Sequence, residues 1–418
     1  MKRFLKWRRL TNRIHLVLGL IAALPVILLG LTGAVLVFEP ELDRWLDPHL
    51  WIVKPGEARK PYQDLLESTR AAFPGHQMIS MFLPFLPDQA GLLYARDTAS
   101  KSARPLEIFV DPYTGKVLGS RPSASSLIGT LRYLHTNFLL TWGGYIGGTA
   151  SAILLTLLAS GLVLWWPTGK DKGAGFKVRL KRHWRTINYD AHRAVGFYAT
   201  PILCVIALTG CVFTFHTVLH PLIYKLTFTK PLPRLVKARP IAGVPPMNLD
   251  RIIARSNEAM PETFPTFVVF PAKPGEPIRL TKRRPTGEPR DIGRSFVSLH
   301  PQTGDLLLEH SYRTRSFGDD VVSWNRHMHI GAWGVYFNRT FGLIIKSVWL
   351  LVSLVPAGLA VTGIVIWWKP RAKRTPKAAG DEAKGATTPR KRALALATNS
   401  GAVEPEPEPE GFADISTH

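Results

Sequence analysis

Cysteine is almost absent. The 418 residues contain two, Cys204 and Cys211, which excludes a disulfide scaffold and a cysteine-ligated zinc or iron–sulfur site. Both lie in one apolar run, about 10.5 Å apart along a helix and too far for a bridge. They read as small apolar residues. No H-E-x-x-H or Cys–His zinc spacing occurs, the long apolar runs contain no paired carboxylates for non-haem iron, and there is no flavin or nicotinamide fingerprint. Acidic residues are also scarce: 30 Asp+Glu stand against 53 Lys+Arg, a formal charge of +23. A mean hydropathy of +0.04 is high for so basic a chain, because the apolar residues are concentrated in four runs. That pattern excludes a purely soluble globular enzyme and a wholly disordered chain.

The runs are Ile14–Phe38, Ile146–Trp166, Val195–Phe215 and Phe341–Trp368. Each is long enough to cross a hydrocarbon core of about 30 Å as a helix. Only the fourth holds a formal charge, Lys346. The first is too long for a signal-peptide core and reads as an anchor. Lys2, Arg3, Lys6, Arg8, Arg9 and Arg13 precede it without an acid; the loop 167–190 carries seven Lys+Arg against two acids; another basic cluster follows Lys369. With four spans these fall on one side, which the positive-inside rule makes the cytoplasm. The basicity is then largely topology signal and needs no nucleic acid. Trp165-Trp166 and Trp367-Trp368 sit where an aromatic belt is expected.

The halves can be superposed. His15-x3-Gly19 with Thr32-Gly33 matches His192-x3-Gly196 with Thr209-Gly210 without a gap, and Ser160-Gly161 matches Thr362-Gly363 near the ends of spans two and four. Two spans per half make these parallel repeats. Between the spans, helical stretches Asp64–Phe73 and Asp250–Met260 are each followed by alternating apolar residues and a Pro-x-Thr-Gly turn, at 112–115 and 301–304. The pattern predicts two small α+β outer domains. The tail from about Thr375 is rich in Ala, Lys, Pro and Gly and ends in an acidic Pro-Glu run; it reads as disordered.

Of the thirteen histidines, His15 and His192 open spans one and three, whereas His135, His327 and His329 precede spans two and four. An imidazole near hydrocarbon is costly unless paired or ligated. Two histidines from two helices at each membrane face suit a b-type haem with two axial imidazoles, and hence two haems per chain. Gly19 and Gly196 lie one turn from their histidines and would open a gap for a flat macrocycle. Gly33 and Gly210, 18 residues from His15 and His192, face the same way at the outer end, where they could clear room for the second haem. Arg13, Arg132, Arg193 and Arg326 stand beside the histidines as candidate propionate partners. Arg13 and Arg193 also fit as positive-inside residues, and the Ser/Thr-Gly pairs as close-packing residues. Helical phase relative to Gly363 favours His327 over His329 as the fourth ligand.

These residues resemble the PepSY-associated transmembrane-helix proteins, which include bacterial inner-membrane ferrisiderophore reductases. The resemblance covers roughly residues 10–370 and rests on Arg13-Ile-His15-x3-Gly19, Leu134-His135, Asp190-Ala-His192-Arg193-x2-Gly196, Met328-His329-x-Gly331, the four Ser/Thr-Gly pairs and the two turns. The second turn has His300 where the first has Asp111. The His-x-Gly element favours His329. The resemblance implies a mainly α membrane protein: a four-transmembrane-helix bundle of two parallel repeats carrying two small α+β PepSY-like periplasmic domains, with haem b and reduction of ferric siderophore or another ferric chelate.

The implied boundaries are a cytoplasmic N-terminus at 1–13, spans at 14–38, 135–166, 191–216 and 327–368 (the second and fourth with their preceding outer segments), PepSY-like domains at 39–134 and 217–326, a basic cytoplasmic loop at 167–190 and a disordered cytoplasmic tail at 369–418. The expected activity is that of an oxidoreductase of the bacterial inner membrane, bound to lipid, with both termini cytoplasmic. Its loops are too short to hold a reductant domain, so a separate cytoplasmic or membrane electron donor is required. Residues 217–338 carry 17 basic against 10 acidic side chains, a surplus suited to an anionic chelate, whereas 39–134 carries 11 of each. The alternatives are a haem-free, membrane-anchored PepSY binding or regulatory protein, and a small-solute permease, for which no broken helix or intramembrane acid speaks.

Overall fold

Four long helices form because their sequences are apolar on nearly every side, as a lipid-facing helix requires. In the computed structural model, which describes residues 2–369 except 101–103, 168–172, 174, 232–236, 285–294 and 312, these are α1 (Lys2–Leu36), α6 (Gly144–Trp165), α7 (Trp184–Thr214) and α11 (Arg339–Trp368). All four are long and apolar enough to cross a membrane. They run past the expected limits at their polar ends, since the backbone stays helical beyond the apolar stretch. Cys204 and Cys211 on α7 are free thiols. The tail beyond residue 369, expected to be disordered, lies outside the described residues, as do Lys170 and Lys172 of the basic loop.

The spans pack cyclically, α1 on α6, α6 on α7, α7 on α11 and α11 on α1, so α1 and α7 stand diagonally. Pro25, Pro201 and Pro356 are accommodated within α1, α7 and α11. Lys346, the one formal charge in the apolar run of α11, is nearly buried and pairs with Glu41. Glu41 lies on the short helix α2 (Glu39–Leu46), which leaves the end of α1. A buried ammonium thus meets a carboxylate at the membrane-facing edge, rather than standing alone.

After α3 (Pro48–Trp51) and α4 (Tyr62–Ala72) come strands β1 (His76–Phe82), β2 (Gly91–Asp97), β3 (Leu106–Val110) and β4 (Val117–Pro122). Helix α5 (Leu127–Asn137) then leads into α6. The second half places α8 (His216–Leu226), α9 (Leu249–Ala259), β5 (Phe264–Val269), β6 (Ile278–Arg283), β7 (Ser295–Leu299), β8 (Leu306–His310) and α10 (Phe317–His329) before α11. The sequence suggests two outer domains, but the strands form one antiparallel sheet in the order β4-β3-β2-β1-β5-β6-β7-β8. The seam is the pairing of Ser80, Met81 and Phe82 with Val269, Val268 and Phe267. It joins two edges that would otherwise stay unpaired. Helices α4 and α9 cover one face, with Leu65, Met81, Leu93, Ile108, Ile252, Val268, Leu280 and Val297 in a common core. The expected turns close β3–β4 and β7–β8, with Gly115 and Gly304 at φ of 73° and 75°.

The other sheet face looks toward the spans. Trp51 of α3 packs on Phe109, and Arg121 of β4 is gripped by Asp43 and Asp47 from the α2 segment and by Glu107 of β3. Arg121 is almost enclosed, so removing it leaves three carboxylates facing one another. Arg121→Met is expected to cost about 3–5 kcal/mol, seen as an earlier unfolding transition in detergent; an unshifted transition would show that the cluster does not clamp sheet to bundle.

Candidate functional site

The histidines singled out from the sequence come together as two pairs. The rings of His15 on α1 and His192 on α7 have centroids 6.4 Å apart, at 84° to one another. Those of His135 on α5 and His329 on α10 are 6.3 Å apart at 60°. The second pair is on the sheet side of the bundle, the first at the distal end. His327 lies two residues before His329 on the same helix, about 200° around its axis, and it is His329 whose ring meets that of His135. The helical-phase reasoning that favoured His327 fails because α10 is not continuous with α11. The chain leaves α10 through Gly331 at φ 66° and a short 3-10 turn, Ala332–Tyr336, before α11 begins. A Cβ on Gly331 would stand 2.6 Å from Cγ of Trp349, which accounts for glycine in the His-x-Gly element.

Each ring is fixed by a hydroxyl on another helix. The Nδ1 atoms of His15, His192, His135 and His329 lie 2.9, 2.8, 2.8 and 2.9 Å from the side-chain oxygens of Ser160, Thr362, Thr32 and Thr209. Those hydroxyls are themselves donors to the carbonyls four residues back, Thr156, Gly358, Leu28 and Val205, at 2.7, 2.7, 2.6 and 2.7 Å. A hydroxyl has one proton. Having donated it to its own helix, the oxygen accepts from Nδ1–H, and the network assigns the proton of each imidazole to Nδ1. Nε2 is then the unprotonated nitrogen, the form that binds a metal. Desolvation by the surrounding helices holds His135 and His329, which lie outside the spans, at pKa values of about 4, so both stay neutral.

The glycine after three of the hydroxyl residues lies against the same ring: a Cβ on Gly161, Gly363 or Gly33 would approach Cε1 of His15, His192 or His135 to 3.4, 3.4 and 3.0 Å. A Cβ on Gly210 would instead meet Oγ of Ser151 at 2.8 Å, with Cε1 of His329 at an ordinary 3.6 Å. Gly33 and Gly210, expected to clear room for a cofactor, thus lie against an imidazole edge and against Ser151. Gly19 and Gly196 differ: a Cβ there would make only ordinary contact, 3.8 Å from Leu157 and 3.6 Å from Leu359. Protein packing alone does not demand glycine at these two positions.

The four arginines are placed unequally. Arg132 is held by Glu39 at 2.5 Å and Glu107 at 3.4 Å and donates to the Ser123 carbonyl. Arg193 donates to the Trp165 carbonyl and lies over Tyr189. Arg13 and Arg326 are exposed. Arg132 is therefore already neutralised by protein carboxylates. At the distal end, Asp190 is buried and receives two bonds from the Arg179 guanidinium, pinning the basic loop to α7. A cavity of about 620 Å³ lined by Arg59, Tyr62, Asn248 and Asp250 lies at the α4–α9 seam, on the far face of the sheet from the histidines.

The residues fit a metal held between two imidazoles. Two metal–nitrogen bonds of about 2 Å and the two ring radii separate the centroids by about 6 Å, close to both observed pairs. Among the described residues no group of three or more His, Cys, Asp or Glu is arranged to hold a metal by itself. Each pair offers one imidazole from each of two helices, His15 of α1 with His192 of α7 and His135 of α5 with His329 of α10, the donor set that a haem with two axial histidines would take. The hydroxyls were legible as Ser/Thr-Gly pairs, but their role as ring anchors was not. The signal was that all four pairs begin with a hydroxyl residue. Thr209→Val keeps the shape and removes the hydroxyl anchor of His329, leaving its Nδ1 only the longer contact to the Ile206 carbonyl at 3.1 Å; the affinity of the sheet-side site for added haem would then fall about 10-fold or more, with Thr209→Ser restoring it. Equal haem retention in Thr209→Val at limiting haem would exclude the anchoring role.

A comparison with curated proteins found no match. The family model described as the PepSY-associated TM region matches residues 12–369, nearly all of the described chain and all four spans. The chain is a multi-pass membrane protein and belongs to the PepSY-associated TM region family.

Proposed function

We propose that the chain is a di-haem reductase of the bacterial inner membrane, passing electrons from the cytoplasmic side to a ferric siderophore or similar chelate in the periplasm and releasing Fe(II). The observation that carries this reading is the pair of bis-imidazole sites, each with Nδ1 anchored and Nε2 left to ligate. Haem b at each site would supply one-electron redox chemistry. His15 and His192 would hold one, His135 and His329 the other. The halves are parallel repeats, and the eight-stranded sheet is two PepSY-like domains fused edge to edge. The basic segments support this orientation, since the positive-inside rule assigns them, and with them both termini, to the cytoplasm and the sheet to the periplasm. Reduction suffices for release, because oxygen-donor chelates hold hard Fe(III) far more tightly than the softer Fe(II).

Within this reading the protein's task is positional. His15 and Thr32, near opposite ends of the apolar part of α1, are separated by a rise of about 25 Å, so a single site could not serve both membrane faces. The relay hydroxyls keep each imidazole in one tautomer and orientation. Lys346–Glu41 and Arg121 with its three carboxylates hold the sheet over the His135–His329 end.

A pyridine haemochrome assay on purified protein is expected to give close to two haems b per chain, and a value near zero after expression with ample haem would sink the proposal. His15→Ala and His192→Ala should remove the same haem signal, and His135→Ala and His329→Ala the other; a different grouping would refute the pairing. In oriented vesicles, reductant on the cytoplasmic side followed by ferric chelate on the sheet side should yield Fe(II) trapped by ferrozine. Reoxidation only from the cytoplasmic side would reverse the direction.

A further inference from the structure

The span-facing side of the sheet is electrically lopsided. Two rows of cross-strand neighbours run along it. One row is Arg121, Glu107, Tyr94, Ser80, Val269, Arg279 and Ser298, which pair successively across seven strands. The next is Phe109, Leu92, Phe82, Phe267, Thr281, Phe296 and His310. Residues so paired share a face. At the β3–β4 end this face is closed: α3 sits on Phe109, and Arg121 is saturated by three carboxylates.

At the β5–β7 end the arginine has no such partners. Arg279 is half-buried, with its guanidinium 4.8 Å from the centroid of Phe296, and among the described residues no carboxylate pairs with it. Burial lowers its pKa and no neighbouring acid raises it again. Beside it Ser298 is 1% exposed, and its hydroxyl has no hydrogen-bond partner among the described residues. The rings of Phe82 and Phe267 lie 4.4 Å apart, tilted at 47°, in the adjoining row, with Phe82 45% exposed. A desolvated cation without a counter-ion, next to an orphan hydroxyl and an aromatic strip, is unfavourable in the free protein. An anion that also presents flat rings would relieve the costs of the half-buried cation and of the exposed aromatic strip.

We propose that the β5–β7 part of this face, built on Arg279, Phe296, Phe267 and Phe82, is the docking site for an anionic chelate whose metal-binding groups are aromatic rings, of the catecholate type. The proposal rests on the reductase reading for the identity of the metal. The recognition itself is independent of electron transfer. The surplus of basic over acidic side chains in residues 217–338 draws the same charge class to this half of the sheet. A neutral or cationic hydroxamate chelate offers neither the charge for Arg279 nor the rings for the phenylalanines.

The test uses the full-length protein in nanodiscs and gallium(III) chelates, which mimic the ferric complexes but are not reduced. Gallium(III) tris-catecholate is expected to bind more tightly than a cationic gallium(III) tris-hydroxamate. Arg279→Gln should weaken tris-catecholate binding about tenfold or more, Arg279→Lys should recover part of the loss, and Phe296→Leu should weaken it independently of charge. Arg251→Gln, which removes an exposed arginine of α9 on the far side of the sheet, should leave binding unchanged. Equal affinity for the two chelates, or equal effects of Arg279→Gln and Arg251→Gln, overturns the proposal. Binding as expected with no Fe(II) formed from the iron complex would remove the reductase reading and leave this site standing. Fe(II) formation with binding indifferent to Arg279 would do the reverse.

Discussion

The bundle turns on a short proton-ordering relay, in which an imidazole Nδ1 donates to a hydroxyl and that hydroxyl donates to a carbonyl of its own helix. It is built four times, each time between two different helices. In an apolar bundle an imidazole that can rotate or exchange tautomers leaves a polar atom unsatisfied in some of its states, which is costly. Here the carbonyl dictates where the hydroxyl proton goes, and the hydroxyl dictates where the imidazole proton goes. Because only Nε2 is left without a proton, the relay that packs the ring also leaves it in the form that would ligate a metal under the reading proposed above.

The same relay links the two ends of the bundle. Helix α1 supplies His15 to the distal pair and Thr32 to the sheet-side pair, and α7 likewise supplies His192 and Thr209. Helices α6 and α11 provide hydroxyls only at the distal end, through Ser160 and Thr362. The two diagonal helices therefore carry both levels. A shift of either along its axis would disturb an imidazole at one end and an anchor at the other. At Gly33 above all, where a Cβ would stand 3.0 Å from Cε1 of His135, glycine lets the ring approach the helix backbone, so neither Thr32 nor Gly33 can change alone without moving the ring.

Much of this was legible in the sequence, for physical reasons that also mark where legibility stops. Composition alone locates the spans, because a helix in lipid must be apolar over its whole length. Matched spacing identifies His15, His192 and the hydroxyl–glycine pairs, because those residues lie on single uninterrupted helices. Where the helix breaks, phase carries no information, and Gly331 and the 3-10 turn defeat the comparison of His327 and His329 against Gly363. Long-range pairings were invisible for a different reason. Alternation in Met78–Phe82 and Phe267–Phe270 signals strands but not their neighbours, and the β1–β5 seam joins segments far apart in the chain. Lys346 read as an isolated charge because Glu41 lies 305 positions away. Arg132 read as a propionate partner, but Glu39 and Glu107 reach it only in the folded state.

The seam also explains how a chain with matched halves becomes chemically unequal. Joining the strands edge to edge gives one face, along which the surroundings change from strand to strand. At one end α2 and α3 deliver Asp43, Asp47 and Trp51 onto it, satisfying Arg121 and covering Phe109. At the other, Arg279 meets an aromatic ring where Arg121 meets carboxylates. The histidine levels stay matched because each relay is local to a pair of helices and needs nothing from the sheet. The outer face is free to diverge because the elements that reach its charges differ between the halves: α2 and its C-terminal end bring carboxylates to Arg121, and nothing equivalent among the described residues reaches Arg279. On the proposed reading, ligation geometry would be set by the part of the molecule that is symmetric, and discrimination among chelates by the part that is not.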